Sequence, residues 1–434
     1  MNRHAGRTGA IKLAVAAAAT TAAFVAVSPA SANAAGNGCI SNGYRTISHG
    51  TATCTADPGN FAAARGDNSS ATATNGTRNI AIASGDSAAA TASGGNRNRA
   101  FASGNHSTAG AGSFMGGSGN NNVARARGAN TFAFAGGANG GTGNDNVASA
   151  TNSSSDGSVE ADAYNGNNNT ATASKTGTAG YAQAFAYNGD NNTADATNSG
   201  NDSGAGAAAH DGDGNKATAA NSGNDSGASA DASGGDNNTA IYTQEGNDAS
   251  GYADAGVGDN NTAKATNGGD HGAAFAGAGS GNNNTATASN TGDGSASADA
   301  LGGDNNTASA TNSGSNGATA TATAEFGDNN TATATNSGSD FAQSTATATD
   351  GDNNTATATN SGSDIAFATA TADGDFNAAD ATNTGDGTTE ASAEDVGSTA
   401  TASNDTSGHG KAVATNGGTA SATGACLATN TSCP

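Results

Sequence analysis

The chain has no tryptophan, three prolines, four cysteines and only 4% aromatic residues across 434 positions. With so few bulky apolar side chains, the Leu, Ile, Val and Phe interior of an ordinary globular domain cannot be assembled. Lysine and arginine total 14 against 37 aspartates and glutamates, a formal charge of −23. That balance excludes a nucleic-acid partner, because a phosphate backbone recruits a clustered positive footprint. His49, His106, His210, His271 and His409 are isolated in sequence, none within a metal-ligand or triad spacing. Serine and aspartate are too common to mark a catalytic site, so the chain reads as non-enzymatic and no organic cofactor is implied.

What the chain has instead is glycine, 67 in all, and a repeat. The residue after each Asn pair falls at Thr170, Thr193, Lys216, Thr239, Thr262, Thr285, Thr307, Thr331, Thr355 and Ala378, spaced by 22 to 24 residues. Looser copies at Val123 and Val147 extend the register towards the N-terminus. A fixed period in the twenties marks a solenoid or repeat array. Composition alone would also fit a disordered polymer; the repetition favours a fold with a small-residue core.

Each unit holds two alternating stretches separated by Gly, Asn, Asp and Ser clusters, the pattern of two short strands joined by turns. One and three positions past the marker stand Ala171 and Ala173, Ala263 and Ala265, Ala332 and Ala334, with only Tyr242 breaking the series. The intervening positions include Asp195 and Lys264, which could not be buried unpaired, so the alanines face inward. The expected fold is all-β: a single elongated parallel β-solenoid of about 16 two-stranded coils with an alanine core and a period of about 23 residues. At about 4.8 Å per stacked strand, the array would extend roughly 75 to 80 Å. Helix is excluded by the recurring Gly and Asn and by alternation at two.

Residues 1–34 read as a signal peptide: Arg3, Arg7 and Lys12, then an apolar stretch from Leu13 to Val27, then Ala32-Asn-Ala34 as a cleavage site. The apolar run is shorter than the ~20 residues of a spanning helix, so a secreted or cell-surface location is expected and no membrane span after cleavage. Residues 35–59 form an N-terminal cap, 60–425 the solenoid array and 426–434 a C-terminal cap. Cys39 and Cys54 lie at the start of the array and Cys426 and Cys433 at its end, most simply two disulfides in an exported protein, although four cysteines allow three connectivities. Their spacings suit a zinc site poorly. Removing the signal leaves 11 basic residues (14 less 3) against 37 acidic ones, a charge of −26. Residues 35–130 hold seven arginines against Asp57, Asp67 and Asp86, so the remainder carries −30.

Three outward features are candidate sites. Asp190, Asp236, Asp259, Asp304, Asp328 and Asp352 recur in the Gly-Asp-Asn-Asn turn. Stacked in register they repel one another; calcium bridging would relieve this, and calcium-binding β-rolls place Asp in Gly-rich turns, although their Gly-Gly-x-Gly-x-Asp spacing is absent. The other reading is local, with Asp and Asn serving the corner and Asn238, Asn261, Asn284, Asn306, Asn330 and Asn354 forming amide ladders. Second, Thr331, Thr333 and Thr335 lie above Thr355, Thr357 and Thr359, with Thr319, Thr321, Thr323 and Thr345, Thr347, Thr349 as further Thr-x-Thr ranks. These ranks resemble the ice-binding face of solenoidal antifreeze proteins. Third, Phe101, Phe132, Phe134, Tyr181, Phe185, Phe275, Phe341 and Phe367 are expected outward, as oligomer contacts or a ligand surface.

Residues 79–104, with Asn79-Ile-Ala-Ile-Ala-Ser-Gly and Arg99-Ala-Phe-Ala-Ser-Gly104, resemble the head repeats of trimeric autotransporter adhesins. The resemblance implies x-Ala-x-Ala-x-Gly coils of a β-roll that bind host matrix as trimers; the stalk and anchor patterns of that family have no counterpart in this sequence. The alanine-rich leader and repeat style are also similar to exported repeat proteins of actinobacteria whose activity is not established. The functional expectation is a secreted structural or surface-interaction protein, adhesin-like, with an extracellular surface or glycan as ligand and a homo-oligomer as one organisation. Ice binding and a disordered extracellular polymer are the alternatives.

Overall fold

A computed structural model describes residues 37–429 apart from 156–157, 180, 202–203, 225–226, 248–249, 272, 363–365, 384–386, 405–408 and 425. The leader expected at 1–34, Cys433 and the side chain of Cys426 lie outside the described residues. Among those residues there is no helix; the chain is a single parallel β-solenoid of about 15 turns with a period near 23 residues. One strand of every coil joins a continuous nineteen-stranded sheet, here the long sheet, and the other strand joins a seven-stranded or a nine-stranded sheet on the second side. Between Tyr181–Ala182 and Ser250–Gly251 the second side is held by single bridges and scattered backbone bonds.

The period is uniform only in the middle. Phe61 pairs with Ile80 and Ile80 with Arg99, 19 residues apart, and the next two coils take 24. Strand registers are preserved throughout, so the corners absorb the difference. A hairpin, Gly38–Ser41 with Thr46–His49, lies antiparallel at the start, and Gly38–Ser41 also pairs antiparallel with Phe61–Arg65. The first edge of the long sheet is thereby the short antiparallel strand Thr46–His49 rather than a coil strand, and a short edge offers little template for pairing with another chain. Cys39 and Cys54 form a disulfide with Cα atoms 5.7 Å apart. The second-side sheet already begins at Thr53–Ala56, inside the segment read as a cap.

The interior is alanine. In Thr331–Asn336 the inward Ala332 and Ala334 are fully buried, as are Ala356 and Ala358 in the next coil, while Asp195 and Lys264 lie outward. A methyl group contributes little at about 25 cal/mol per Å² of apolar surface, so cohesion between coils rests on hydrogen bonds.

The Gly-Asp-Asn-Asn corner shows how. Gly258 has φ +123 and a Cβ there would lie 1.9 Å from the Gly281 carbonyl of the next coil, so no larger residue fits. The Asp259 N–H donates to Asn282 Oδ1 at 2.9 Å. Asn260 turns the chain at φ 60, a left-handed conformation that Asn tolerates. Asn261 is fully buried: its Oδ1 accepts the Asn284 N–H at 2.9 Å and its Nδ2 donates to the Gly281 carbonyl at 2.7 Å. The same side-chain-to-backbone link runs without a gap from Asn60 to Asn377 and then to Ser398. The ladder expected as amide against amide is therefore chiefly amide against backbone.

A second buried column, at the far end of the same strands, is a true amide ladder: Asn290 Nδ2 donates to Asn267 Oδ1, Asn312 to Asn290 and Asn336 to Asn312, at 2.9 to 3.1 Å. Lys175 and Gln244 occupy this column and are also buried. Tyr242, the exception in the alanine series, is fully buried. It is housed because the inward position opposite is Gly251 rather than alanine: a Cβ on Gly251 would lie 1.6 Å from the ring. The phenol donates to Gln244 Oε1, and Gln244 Nε2 donates to the Gly246 carbonyl at 2.8 Å. Three departures from the repeat, at 242, 244 and 251, thus form one compensated unit.

Candidate functional site

With the corners and interior occupied by structural bonds, chemistry is left to the outward faces. On the long sheet, Thr331, Thr333 and Thr335 pair in register with Thr355, Thr357 and Thr359. The rows continue upstream through Thr307, Ser309, Thr311 and Thr285, Thr287, Ser289. Four adjacent coils therefore present three columns of hydroxyls with no interruption, ending at Lys264 on one side and at Ala378 and Asp380 on the other. On the second side the ranks are offset. Thr345 lies opposite Thr321, whereas Thr319 faces Gln343, because the register is set by the buried Ala320 and Ser344.

The corner aspartates lie side by side, as expected, but each is tied to backbone. The N–H groups of Asp190 and Asp236 donate to Oδ1 of Asp213 and Asp259, and those of Asp304, Asp328 and Asp352 to Asp328, Asp352 and Asp375, at 2.6 to 2.9 Å. Each carboxylate thus clamps the coil before it, which is the local, corner-serving role. Among the described residues no group of three or more His, Cys, Asp or Glu is placed to hold a metal ion.

The aromatics fall mainly on the second side. Tyr164 stacks on Tyr187 at 5.6 Å, Tyr187 on Phe185 at 5.4 Å and on His210 at 5.0 Å. Phe134, expected outward and exposed, is only 2% exposed. It lies 6.0 Å from Tyr164 and in register with Asp162. His210 is not isolated: Nε2 is 3.0 Å from Asp231 Oδ2, and that bond raises its pKa. Burial pushes the Asp231 carboxyl up, but the bonds from His210 and Ser233 outweigh it and leave the pKa lowered. Burial raises Asp254 and Asp299.

Comparisons with protein-family models, with curated proteins and with solved structures find no match. Residues 79–104 form parallel coils, with Ile80–Ser84 and Arg99–Ser103 paired on the long sheet and Ala89–Ala92 on the other.

Asp162 is the most perturbed of these groups. Fully buried beneath aromatic rings, it accepts the Tyr164 hydroxyl on Oδ2 at 2.7 Å, while Oδ1 has no partner. Burial, aided by the charge of Glu160, pushes its pKa from 3.8 to about 8. The folded carboxyl keeps its proton where the unfolded one has lost it, so the folded state binds more protons and rising pH disfavours it. Stability should fall between about pH 4 and pH 8, by at most about 1.4 kcal/mol per pH unit, and level off above. Asp162→Asn should remove that slope in thermal unfolding across the range. An unchanged slope would show that Asp162 is ionised in the folded protein at neutral pH.

The chain positions that the sequence left unconnected are joined here by coil arithmetic. Tyr164, Tyr187 and His210 are 23 apart and hence vertical neighbours. Phe134 and Asp162 are 28 apart because an extra loop intervenes, and no fixed period would have paired them.

Proposed function

We propose that the chain is an exported, non-enzymatic surface-interaction protein whose working face is the Thr and Ser lattice of the long sheet. The observation that supports this reading is the uninterrupted block of four coils by three columns, Thr285 to Thr359. Hydroxyls there repeat at about 4.8 Å between coils and about 6.8 Å along each strand. Threonine is stiff at χ1, so the array is preorganised and little rotamer entropy is lost on contact. Such a face suits a periodic, hydroxyl-bearing surface, of which an ordered extracellular polysaccharide is the best chemical fit.

The expected result is depletion of the protein from solution by insoluble cellulose, chitin or peptidoglycan. Thr333→Lys with Thr357→Lys, which puts two charges at the lattice centre, should weaken that binding about tenfold or more. Binding to none of them, or binding indifferent to the lysines, would dismiss the reading. Ice is the second ligand, favoured because the four long-sheet strands Thr285–Asn290, Thr307–Asn312, Thr331–Asn336 and Thr355–Asn360 carry no charged residue. Thermal hysteresis decides it: a freezing-point gap lost in the double-lysine variant supports ice, and no gap removes it.

A further inference from the structure

The second side carries a slot that the repeat does not require. In two successive coils the outward positions shrink to Gly204, Gly206 and Ala208, then Gly227 and Ser229. None of these glycines has a left-handed φ. A Cβ would come no closer than 3.6 Å to any atom at Gly204 or Gly206 and would meet nothing within 4 Å at Gly227. Alanine would fit at all three, in contrast to the corner glycine at 258, so backbone geometry does not explain them. Their effect is to lower the floor between rings.

The coil before the floor contributes Phe185 and Tyr187, and the coil after it Tyr252; the register is carried by Ala182 opposite Ala205, Gly204 opposite Gly227 and the Asp231 N–H to the Ala253 carbonyl. Three coil rises, about 14 Å along the axis, separate the walls, and Tyr252 stands one outward position to the side of Phe185, in line with Gly206 and Ser229, so a guanidinium in the slot stacks on one wall at a time. Tyr187 continues its stack onto His210, but Phe185 is followed by Ala208 and has no ring beyond it. The slot's edge is acidic: Asp231 is paired to His210, and Asp254 accepts only the Gly256 N–H, at 2.7 Å, with no cationic partner among the described residues. Aromatic walls with carboxylates at the edge are chemistry for a planar organic cation.

The same chain offers such cations at its other end. Arg65, Arg99, Arg125 and Arg127 are exposed on the long sheet, and none is ion-paired among the described residues. Arg125 already lies with its Cζ 6.0 Å from the centre of the Phe101 ring. Residues 35–130 carry more arginine than carboxylate, while the rest carries −30, so two solenoids aligned level with one another place acidic coils against acidic coils. A stagger replaces that repulsion by attraction.

We propose that the slot between Phe185 and Tyr252 receives arginine side chains from the N-terminal coils of a second copy, joining solenoids side by side with an axial stagger. The contact is heterologous, so it can propagate beyond a dimer. It lies apart from the Thr lattice, and a lattice variant that loses surface binding should still associate.

Sedimentation velocity of the full chain at about 20 mM and about 500 mM NaCl tests this, since the Debye length falls severalfold between them. Oligomers at low salt that dissociate at high salt are expected. Asp231→Asn with Asp254→Asn, and separately Arg125→Gln with Arg127→Gln, should each weaken association about tenfold or more. Gly206→Leu should do the same by filling the floor without changing charge. A mixture of the two charge variants should recover heterodimers, because each retains one intact surface; circular dichroism confirms that each is folded. A monomer at low salt, association that survives either charge variant, or a mixture that stays monomeric would each overturn the proposal.

Discussion

Asn261→Leu is expected to destabilise the solenoid by about 3 to 5 kcal/mol, the cost of leaving a buried N–H and a half-buried carbonyl without partners. Asn261 makes both of its forward bonds to the next coil, to the fully buried Asn284 N–H and to the half-buried Gly281 carbonyl, and is itself fully buried. A side chain of similar volume keeps the space filled but supplies neither donor nor acceptor, so the loss is not softened by collapse of the site. In a stack where each coil touches only its neighbours, the damage should be local. Hydrogen exchange should therefore accelerate most on the strands flanking the junction, Thr262–Asn267 and Thr285–Asn290, and least near the disulfide. Unchanged melting together with unchanged exchange would show that the ladder contributes no net stability.

Gly251→Ala should be comparably severe, because the added methyl would fall inside the Tyr242 ring. The ring cannot retreat within an interior otherwise lined by alanine, and overpacking of that kind costs about 1 to 3 kcal/mol or more. Tyr242→Ala alone fails differently, leaving a cavity and an unused Gln244, at about 3 to 5 kcal/mol. The double variant restores the alanine pair of the neighbouring coil, Ala265 and Ala274. It should recover most of either loss, giving a coupling energy of several kcal/mol in the double-mutant cycle. If the two effects simply add, Tyr242 and Gly251 are not the compensating pair that the geometry makes them.

Much of this architecture is legible in the sequence. Alternation of Ala with Thr, Asp or Lys over each strand assigns the inward face by desolvation cost alone, and Ala332 and Ala334 lie where that argument puts them. The Cys39 to Cys54 bond is the simplest of the three connectivities that four cysteines allow, the one that pairs neighbours at the start of the array. What escaped was contact between residues whose meaning depends on the next coil. His210 looked solitary along the chain, yet Tyr187 is one period before it and Asp231 nearly one period after. Phe134 looked like a surface ring because its own strand alternates; the ring lies over Gly110 of the coil before and beside Tyr164 of the coil after, beyond an inserted loop of irregular length. The amide column of Asn267, Asn290 and Asn312 was hidden for another reason: an Asn at a strand end is also what a turn would use.

The corner bonds have a direction. Each buried corner Asn reaches towards the C-terminus, its Oδ1 accepting from the next coil, and each corner Asp reaches back, its Oδ1 accepting from the coil before. A newly completed coil therefore ends with an amide whose two partners have yet to arrive about 23 residues later. Such a coil is a docking site for its successor, whose backbone N–H it will accept on the waiting Asn Oδ1 just as its own N–H was accepted by the coil before. Growth from the disulfide-closed hairpin onward needs only short loop closures at each step, which are fast and cheap in entropy. A chain emerging N-terminus first can thus zip coil upon coil in the order of its synthesis, with its unfinished end always the one furthest from the cap.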